Sequence, residues 1–292
     1  MGDGWWSWFI RLKGGDTSVG IVMDQRLASL PDEGRLVDRM RGMLDTHPVA
    51  KRLLLNAKPI KDDVHLRKNI AYTSDCYAED GLAIVGDAAG FIDPFYSMGL
   101  DWTAFTVVGA VELVLSQRRG ESLSTQIESH NKCMHQCSRR WFKAIYRDKY
   151  EYLGEFDLLR SVVLMDLGLY YLGVASIPYI NGTKSLGKGL YTRRTAVPFY
   201  YLMSFYNKRF ASIARSRRER GVLGRRNAGR RYLFDSFTFS VWSARLVFIS
   251  LLRWGLLELT EGWRTWFRSP RLKSRRQEKE SKVRLDNLSE II

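Results

Sequence analysis

Cysteine is scarce in this chain of 292 residues, where it occurs only at Cys76, Cys133 and Cys137. Three cysteines are too few for a disulfide scaffold and are typical of a protein from a reducing compartment. A chain of this length buries enough apolar surface to fold without such cross-links. Its composition, 45% hydrophobic and 26% charged, predicts a globular protein.

The sequence also lacks a secretory leader and an uninterrupted membrane span. Residues 1–12 have an acid near the start and no basic stretch before an apolar core. The most apolar segments are Ser161–Ile180, which contains Asp166 and Pro178, and Phe237–Leu257, which contains two arginines. Because a charge at mid-span is costly, neither predicts a clean span. We therefore expect a cytoplasmic protein, with peripheral membrane contact left open.

Acidic residues are outnumbered, since 46 Lys and Arg stand against 31 Asp and Glu and give a net charge of +15. The excess lies in two blocks, +9 over 207–231 and +7 over 264–284, whereas 1–206 carries only +2. This distribution argues against the whole fold as a nucleic-acid binder. For the first block three interpretations stay open: a solvated basic helix, docking on an anionic membrane surface and, last, stacking of single-stranded nucleic acid.

Hydrophobic periodicity predicts sheet and helix in the first half of the chain. Residues 5–23 form two apolar, extended runs on either side of a turn, and this pattern predicts a β-hairpin. Helices are expected from Pro31 onward and over 49–56. The apolar run Gly81–Gly86 predicts a fully buried strand, because it is short and bounded by glycines.

Helices alone are predicted for the rest of the chain, starting with an apolar helix over 99–115 and an amphipathic one over 122–150. We expect residues 1–150 to form one unit and 151–268 a helical C-terminal region. Residues 269–292 predict a charged, disordered tail.

The stretch from Gly86 to Leu100 has the features of a binding site. The expected strand delivers Asp87 at its carboxyl end, and the small residues that follow let a ligand approach the backbone. Pro94 then fixes the chain before a helix that begins near Gly99, whose free N–H groups favour an anion or an electron-rich ring. A carboxylate in this position suits ribose-type hydroxyls. A strand–turn–helix with a merely capping aspartate is the alternative.

This segment resembles the second flavin motif of FAD-dependent monooxygenase-like enzymes, and Asp93-Pro94 with Ser97-x-Gly99 resembles its form in flavin-dependent halogenases. The resemblance implies that Asp87 contacts the ribityl chain and that Pro94 borders the isoalloxazine. It also implies that the amides after Ser97 face the flavin pyrimidine edge and, in halogenases, a halide. The implied FAD-binding residues are Gly86, Asp87, Ala88, Pro94, Ser97, Met98, Gly99 and Leu100.

A second match lies near the N-terminus, where Trp6, Trp8 and Ile10 are similar to the halogenase signature W-x-W-x-I-P, with Arg11 in place of the proline. An aromatic edge strand is the plain alternative. The resemblance places these three residues and Tyr96 near the substrate. Tryptophan halogenases have a glutamate where this chain has Tyr96, and an aromatic residue is closer to the branch that acts on phenols and pyrroles.

The family's glycine-rich G-x-G-x-x-G loop, which cradles the FAD pyrophosphate, does not occur in this sequence. The resemblance therefore implies an α+β fold: the C-terminal part of an FAD-binding monooxygenase-type fold, with a partial sheet, followed by a mainly helical region. It implies FAD-dependent oxidation of an organic small molecule, by halogenation, hydroxylation or dehydrogenation. A flavin reductase or a missing N-terminal half would be the partner, and the chain alone would bind FAD weakly or not at all. The rival hypothesis is a non-catalytic peripheral membrane or interaction protein with a degenerate flavin fold.

Two further groups of residues have plainer interpretations. His130, Cys133 and Cys137 share one face of the amphipathic helix, but a zinc site needs a fourth ligand, so we predict no metal and inward packing of the thiols. Asp93 and Asp101 could pair as acids, yet Asp93 is better interpreted as hydrogen-bonding within its own loop.

Overall fold

The structure, a computed structural model, describes residues 1–188, 192, 194–227 and 241–267. The predicted tail at 269–292 lies outside the described residues. So do the last residues of the first basic block and the start of the second apolar segment.

The predicted hairpin is confirmed: β1 (Trp5–Arg11) and β2 (Thr17–Met23) pair antiparallel. Trp8 lies opposite Gly20, and a Cβ on that glycine would stand 1.9 Å from the indole ring. The missing side chain therefore makes room for the ring. Because side chains alternate across a strand, Trp5 and Trp6 enter two different apolar clusters.

Two short helices cover the Trp5 side of the hairpin. Met43 and Leu44 of α1 (Leu36–Asp45) and Ala50 of α2 (Pro48–Leu53) are buried there. The expected start of the first helix near Pro31 is wrong, because Gly34 has φ +96° and cannot continue a right-handed helix.

The other strands are two residues long: β3 (Tyr72–Thr73) pairs with β6 (Gly90–Phe91), and β4 (Ala78–Glu79) with β5 (Leu82–Ala83). The prediction of a fully buried strand over 81–86 is wrong, since only two residues are strand and Leu82 is 53% exposed. Within the part of the chain that the structure describes, β5 has β4 as its only partner. A two-stranded ladder has no neighbouring layer to bury both of its faces.

The two helices predicted after the motif are confirmed. α3 spans Gly99–Arg118, and α4 spans Ser124–Trp141 and continues as a π-helical turn over Phe142–Tyr146. Only part of α3 is covered, and the stretch Phe95–Arg118 is long and apolar enough to cross a membrane by length and composition, with 28% of its most apolar window buried.

Helices make up the second half, and the described residues beyond 150 contain no strand, as predicted. They form α5, α6, α7 and α8, at Phe156–Tyr170, Ser176–Asn181, Val197–Glu219 and Val241–Thr260. The stretch Phe156–Asn181 also passes the membrane-span test of length and composition, but 65% of its most apolar window is buried inside the fold. The main core joins both halves, from Trp6 to Ala214.

The interpretation of residues 207–231 as a solvated basic helix is wrong for its central arginines. Arg209 is 7% and Arg217 is 2% exposed, and each meets carboxylates from distant parts of the chain. Arg217 donates hydrogen bonds to Glu155, Asp157 and Glu261. The local charge count failed because these acids are far away in sequence and close in space.

Candidate functional site

The flavin-like motif lies against the first turns of α3. Gly86 has φ +58°, its N–H donates to Thr106 Oγ1 at 2.9 Å, and its carbonyl accepts from Trp102 Nε1 at 3.0 Å. A Cβ on Gly86 would stand 3.2 Å from Thr103 Oγ1, so the close approach favours glycine. These contacts bring the residues that follow Gly86 beside the start of the helix.

Asp87 is exposed, and its carboxylate has no partner within the described residues. Only its backbone carbonyl is engaged, by the Tyr72 hydroxyl. Ala88 is exposed beside it, whereas Ala89 is fully buried under the loop. The fold therefore anchors the backbone of Asp87 and leaves the carboxylate available to hydroxyl donors.

Asp93 organises the loop that follows. Its Oδ1 accepts the Phe95 N–H at 2.7 Å, which confirms the expected bond within the loop. Its Oδ2 accepts the Tyr150 hydroxyl at 2.5 Å. Burial raises the pKa of Asp93, and the hydrogen bonds from Tyr150 and the Phe95 amide act against that rise. The other acid of the suggested pair, Asp101, accepts the Tyr170 hydroxyl instead.

The loop passes through an unusual backbone conformation at Tyr96 and Ser97. Their φ angles are +69° and +56°, in the left-handed region that non-glycine residues rarely adopt. Such residues persist only where surrounding contacts hold them, at about 1–3 kcal/mol each. Pro94, two residues before Tyr96, is partly buried and fixes the entry to this turn.

The helix start behind the loop is open. No side chain among the described residues caps α3, and the N–H groups of its first turn have no partner within the helix. A Cβ on Gly99 would meet nothing within 4 Å, and Leu100 is 80% exposed. Met98 is buried instead, with its sulfur accepting the Trp141 indole N–H at 3.2 Å. An uncapped helix N-terminus favours negative charge.

The structure brings Trp6 to this loop and leaves Ile10 away from it. The Trp6 ring lies 5.3 Å from the Phe95 ring in an edge-on arrangement, and its Nε1 donates to the Tyr150 hydroxyl at 3.0 Å. Trp8 follows at 5.8 Å from Trp6. Ile10 is 55% exposed toward the far end of the hairpin, about 13 Å along the strand from Trp6.

A buried polar cluster fixes the Tyr96 hydroxyl. Its hydroxyl donates to Asp166 Oδ2 at 2.9 Å, and the same carboxylate accepts the Tyr206 hydroxyl at 2.5 Å and the Lys149 ammonium. Asn207 accepts from Lys149 at 3.0 Å. The side chains of Lys149 and Asp166 are 0% and 2% exposed. A paired charge is the form in which such groups tolerate burial.

Burial and the Asp166 charge raise the pKa of the Tyr96 hydroxyl well above its ordinary value. Burial lowers the pKa of Lys149, and the Asp166 carboxylate acts against that shift. Tyr96 is therefore a neutral phenol whose hydroxyl is committed to Asp166.

Sequence reasoning missed this cluster and the role of Tyr150. One signal was present, because Asp166 interrupts an otherwise apolar segment, and an acid in such a place requires a buried partner. Nothing in the sequence identified Lys149 or Asn207 as its partners, since they lie 17 and 41 residues away.

Within the described residues no group of three or more His, Cys, Asp and Glu side chains could hold a metal ion. Cys137 is fully buried, and Cys133 is partly buried in the same helix face. His130 is 8% exposed and packs against Gly109, where a Cβ would stand 2.7 Å from its ring. Burial lowers the pKa of His130.

A separate cavity of about 540 Å³ opens between α4 and α7. Four cationic side chains and two tyrosines contribute to its lining, and none of the motif residues does. The concavity is therefore distinct from the flavin-like motif.

The residues at the motif fit one part of a flavin. An exposed carboxylate suits the hydroxyls of a ribityl chain, and an open, uncapped helix start suits the electron-rich edge of the ring. Asp87 supplies the first, and the turn from Met98 to Leu100 supplies the second. The sequence contains no glycine-rich loop for a pyrophosphate, so the fit extends to the ribityl and ring portions only.

The chain is similar in sequence to several flavin-dependent halogenases. The chain is 32% identical over 119 residues to the flavin-dependent halogenase otaD of Aspergillus niger, covering 40% of this chain and 25% of that protein. It is 31% identical over 120 residues to the flavin-dependent halogenase ascD of Acremonium egyptiacum, covering 40% and 22%. It is 26% identical over 138 residues to a tryptophan 2-halogenase of Chondromyces crocatus, covering 47% and 26%. No family model matches the chain.

Among solved structures, the chain resembles halogenase PltM, with a TM-score of 0.53 and 17% identity over 87% of this chain and 50% of that one. This likeness shows a shared fold. The alignments span about a quarter of the length of the curated relatives.

Proposed function

We propose that this chain, a member of the flavin-dependent halogenase-like family, is the substrate-side part of an FAD-dependent oxidoreductase that acts on an organic small molecule. The observation that carries the proposal is the pairing of an exposed, unpartnered Asp87 carboxylate with the uncapped start of α3. Bound FAD would supply the redox chemistry. The chain's own residues bind and orient it: Asp87 accepts ribityl hydroxyls, and the amides after Ser97 donate to the ring edge.

The substrate would lie at the aromatic wall formed by Trp6, Trp8 and Tyr96. Trp6 packs edge to face on the buried Phe95, and Tyr96 is fixed through Asp166. The partly exposed rings of Trp8 and Tyr96 are therefore held on a rigid base suited to a phenolic or other aromatic compound. Tyr96 positions the substrate and moves no proton, because its hydroxyl is committed to Asp166.

A second polypeptide segment with a glycine-rich loop would complete the site. The outer face of α3 supports this idea, since Val107, Val111 and Val114 are 39%, 48% and 53% exposed at helical spacing. Monomeric proteins rarely leave such a contiguous stripe uncovered. The pyrophosphate of FAD would be held by the completing segment, and a flavin reductase would supply reduced flavin.

Complementation tests the proposal. The purified chain is mixed in air-saturated buffer, whose O2 is the oxidant, with FAD, a flavin reductase, NADH, chloride or bromide, and a phenolic substrate. The mixture is tested with and without the N-terminal segment of the Aspergillus niger relative. We expect oxidised or halogenated product only when both segments are present. Turnover by the chain alone would exclude the need for a completing segment. Flavin binding by the mixture without any product would favour the non-catalytic, degenerate-fold alternative.

A further inference from the structure

The inner face of helix α8 packs against α5 and α7. Val247 is 7% exposed and packs on Gly168 of α5, where a Cβ would stand 2.2 Å from it. Ser250 is completely buried, and the Trp254 ring lies 5.9 Å from Phe205 and 6.1 Å from Tyr206. These contacts fix which side of α8 points outward.

The outer face of α8 is apolar and is left uncovered by the described residues. Phe248, Leu252, Leu256 and Leu259 are 59%, 58%, 61% and 78% exposed, and their spacing of four, four and three residues makes them one stripe. Past the helix end, Trp263, Trp266 and Phe267 are 51%, 55% and 90% exposed and add further apolar surface. The Trp266 ring lies 4.4 Å from the Arg209 guanidinium, and its indole N–H donates to Glu258. We call these seven residues the α8 stripe.

The exposed charges along the α8 stripe are all positive. Arg245, Arg253 and Arg264 are exposed among its apolar residues. The two acids of this region turn inward, where Glu258 pairs with Arg209 and Glu261 with Arg217. No exposed carboxylate occurs in the described stretch 244–267.

We propose that the α8 stripe docks on an anionic lipid surface. Leu and Phe side chains would enter the acyl boundary, Trp263 would sit at headgroup level, and the arginines would extend to lipid phosphates. In the sequence, residues 268–284 add a further charge of +6 directly after the stripe, which increases attraction to anionic headgroups. A second copy of the chain is a poorer occupant, because self-association would place arginine against arginine.

Vesicle flotation of the full chain tests the proposal, using neutral phosphatidylcholine and phosphatidylcholine containing about 30% phosphatidylserine. We expect binding to the anionic vesicles at low salt and its loss at high salt. The double variant Leu252→Ser/Leu256→Ser should reduce the partition coefficient at least about tenfold, because both side chains would enter the bilayer. Both positions face outward, so the fold, checked by circular dichroism, should be retained.

The matched control is Leu55→Ser, which removes a 69% exposed apolar group outside α3 and α8 and should leave vesicle binding unchanged. Equal binding of the double variant and the unaltered chain would overturn the proposal, as would an absence of binding to anionic vesicles. Sedimentation showing a dimer that the double variant dissociates would also overturn it, since a second copy would then cover the stripe.

Discussion

The Tyr150 hydroxyl lies 2.5 Å from the Asp93 carboxylate and donates a hydrogen bond to it. The same oxygen accepts the Trp6 indole N–H at 3.0 Å. This one side chain therefore connects the flavin-like loop to the aromatic hairpin, which lie 57 and 144 residues from it in the sequence. Tyr150 thus fixes the position of the loop relative to the hairpin.

Replacing Tyr150 with Phe should destabilise the protein by about 2–4 kcal/mol, because one Asp93 oxygen and the Trp6 N–H both lose a buried partner. The removal of a hydrogen bond that lowers its pKa should also raise the pKa of Asp93 further. Urea unfolding measures the loss. Tyr179→Phe is the control, since Tyr179 is 83% exposed. Equal stability of the two variants would show that the Tyr150 bonds contribute nothing.

The buried ion pair gives a second prediction. Lys149→Met should cost about 3–5 kcal/mol in the free energy of unfolding, because it leaves the Asp166 carboxylate buried without its counterion. Lys143→Met removes an exposed lysine nearby and should change the stability little. Thermal unfolding of both variants separates these expectations, and a stable Lys149→Met protein would contradict the buried pairing.

The Arg217 cluster predicts acid sensitivity. Burial alone would raise the pKa values of Asp157 and Glu261, but hydrogen bonds and charge from Arg217 lower both below their ordinary values of 3.8 and 4.5. A lowered folded-state pKa contributes stability that is present above the ordinary value and lost as pH falls through the folded value. The free energy of unfolding should therefore fall below about pH 4.5, because the unfolded chain takes up protons more readily than the folded protein.

Arg217→Met tests the origin of that dependence. The variant should be less stable at neutral pH. Its free energy of unfolding should also decline less between about pH 5 and pH 3, because Asp157 and Glu261 no longer have lowered pKa values in the folded state. Chemical unfolding at several pH values gives the comparison. An unchanged pH slope would assign the acid sensitivity to other carboxylates.

The Trp8–Gly20 pair predicts an effect on the hairpin. Gly20→Val should destabilise the protein by about 1–3 kcal/mol, because any side chain must displace the Trp8 indole. The emission of that tryptophan should shift as the ring moves toward solvent. Gly14→Ala is the control, since a Cβ there meets nothing within 4 Å. If Gly20→Val retains both stability and emission, the ring does not occupy this position.

Local patterns predicted the elements whose stability is local. The hairpin, α3 and α4 follow from alternation and helical periodicity, which depend on residues a few positions apart. The strand at 81–86 was wrong because burial of a strand depends on neighbouring layers, and an apolar run does not reveal how many neighbours it has. The basic block was wrong for the same kind of reason, since Arg217 finds its acids 44 to 62 residues away.

The candidate site was predictable only in part. The motif located Asp87 and the helix start, and the structure brings the two together through Gly86, Thr106 and Trp102. The motif gave no indication of Tyr150, which fixes Asp93, or of the Lys149–Asp166 pair, which fixes Tyr96. Such supporting contacts join distant segments, and residue spacing in a single sequence carries no record of them.

Titration of the chain with riboflavin, FMN and FAD tests the central claim most directly. If Asp87 and the start of α3 hold the ribityl chain and ring edge, the three flavins should bind weakly and with similar affinity, because the pyrophosphate finds no glycine-rich loop. Asp87→Asn should weaken riboflavin binding about fivefold, the value of one hydrogen bond. The exposed Asp80→Asn control should leave binding unchanged. Equal binding by both variants, or no flavin binding at all, would contradict the account.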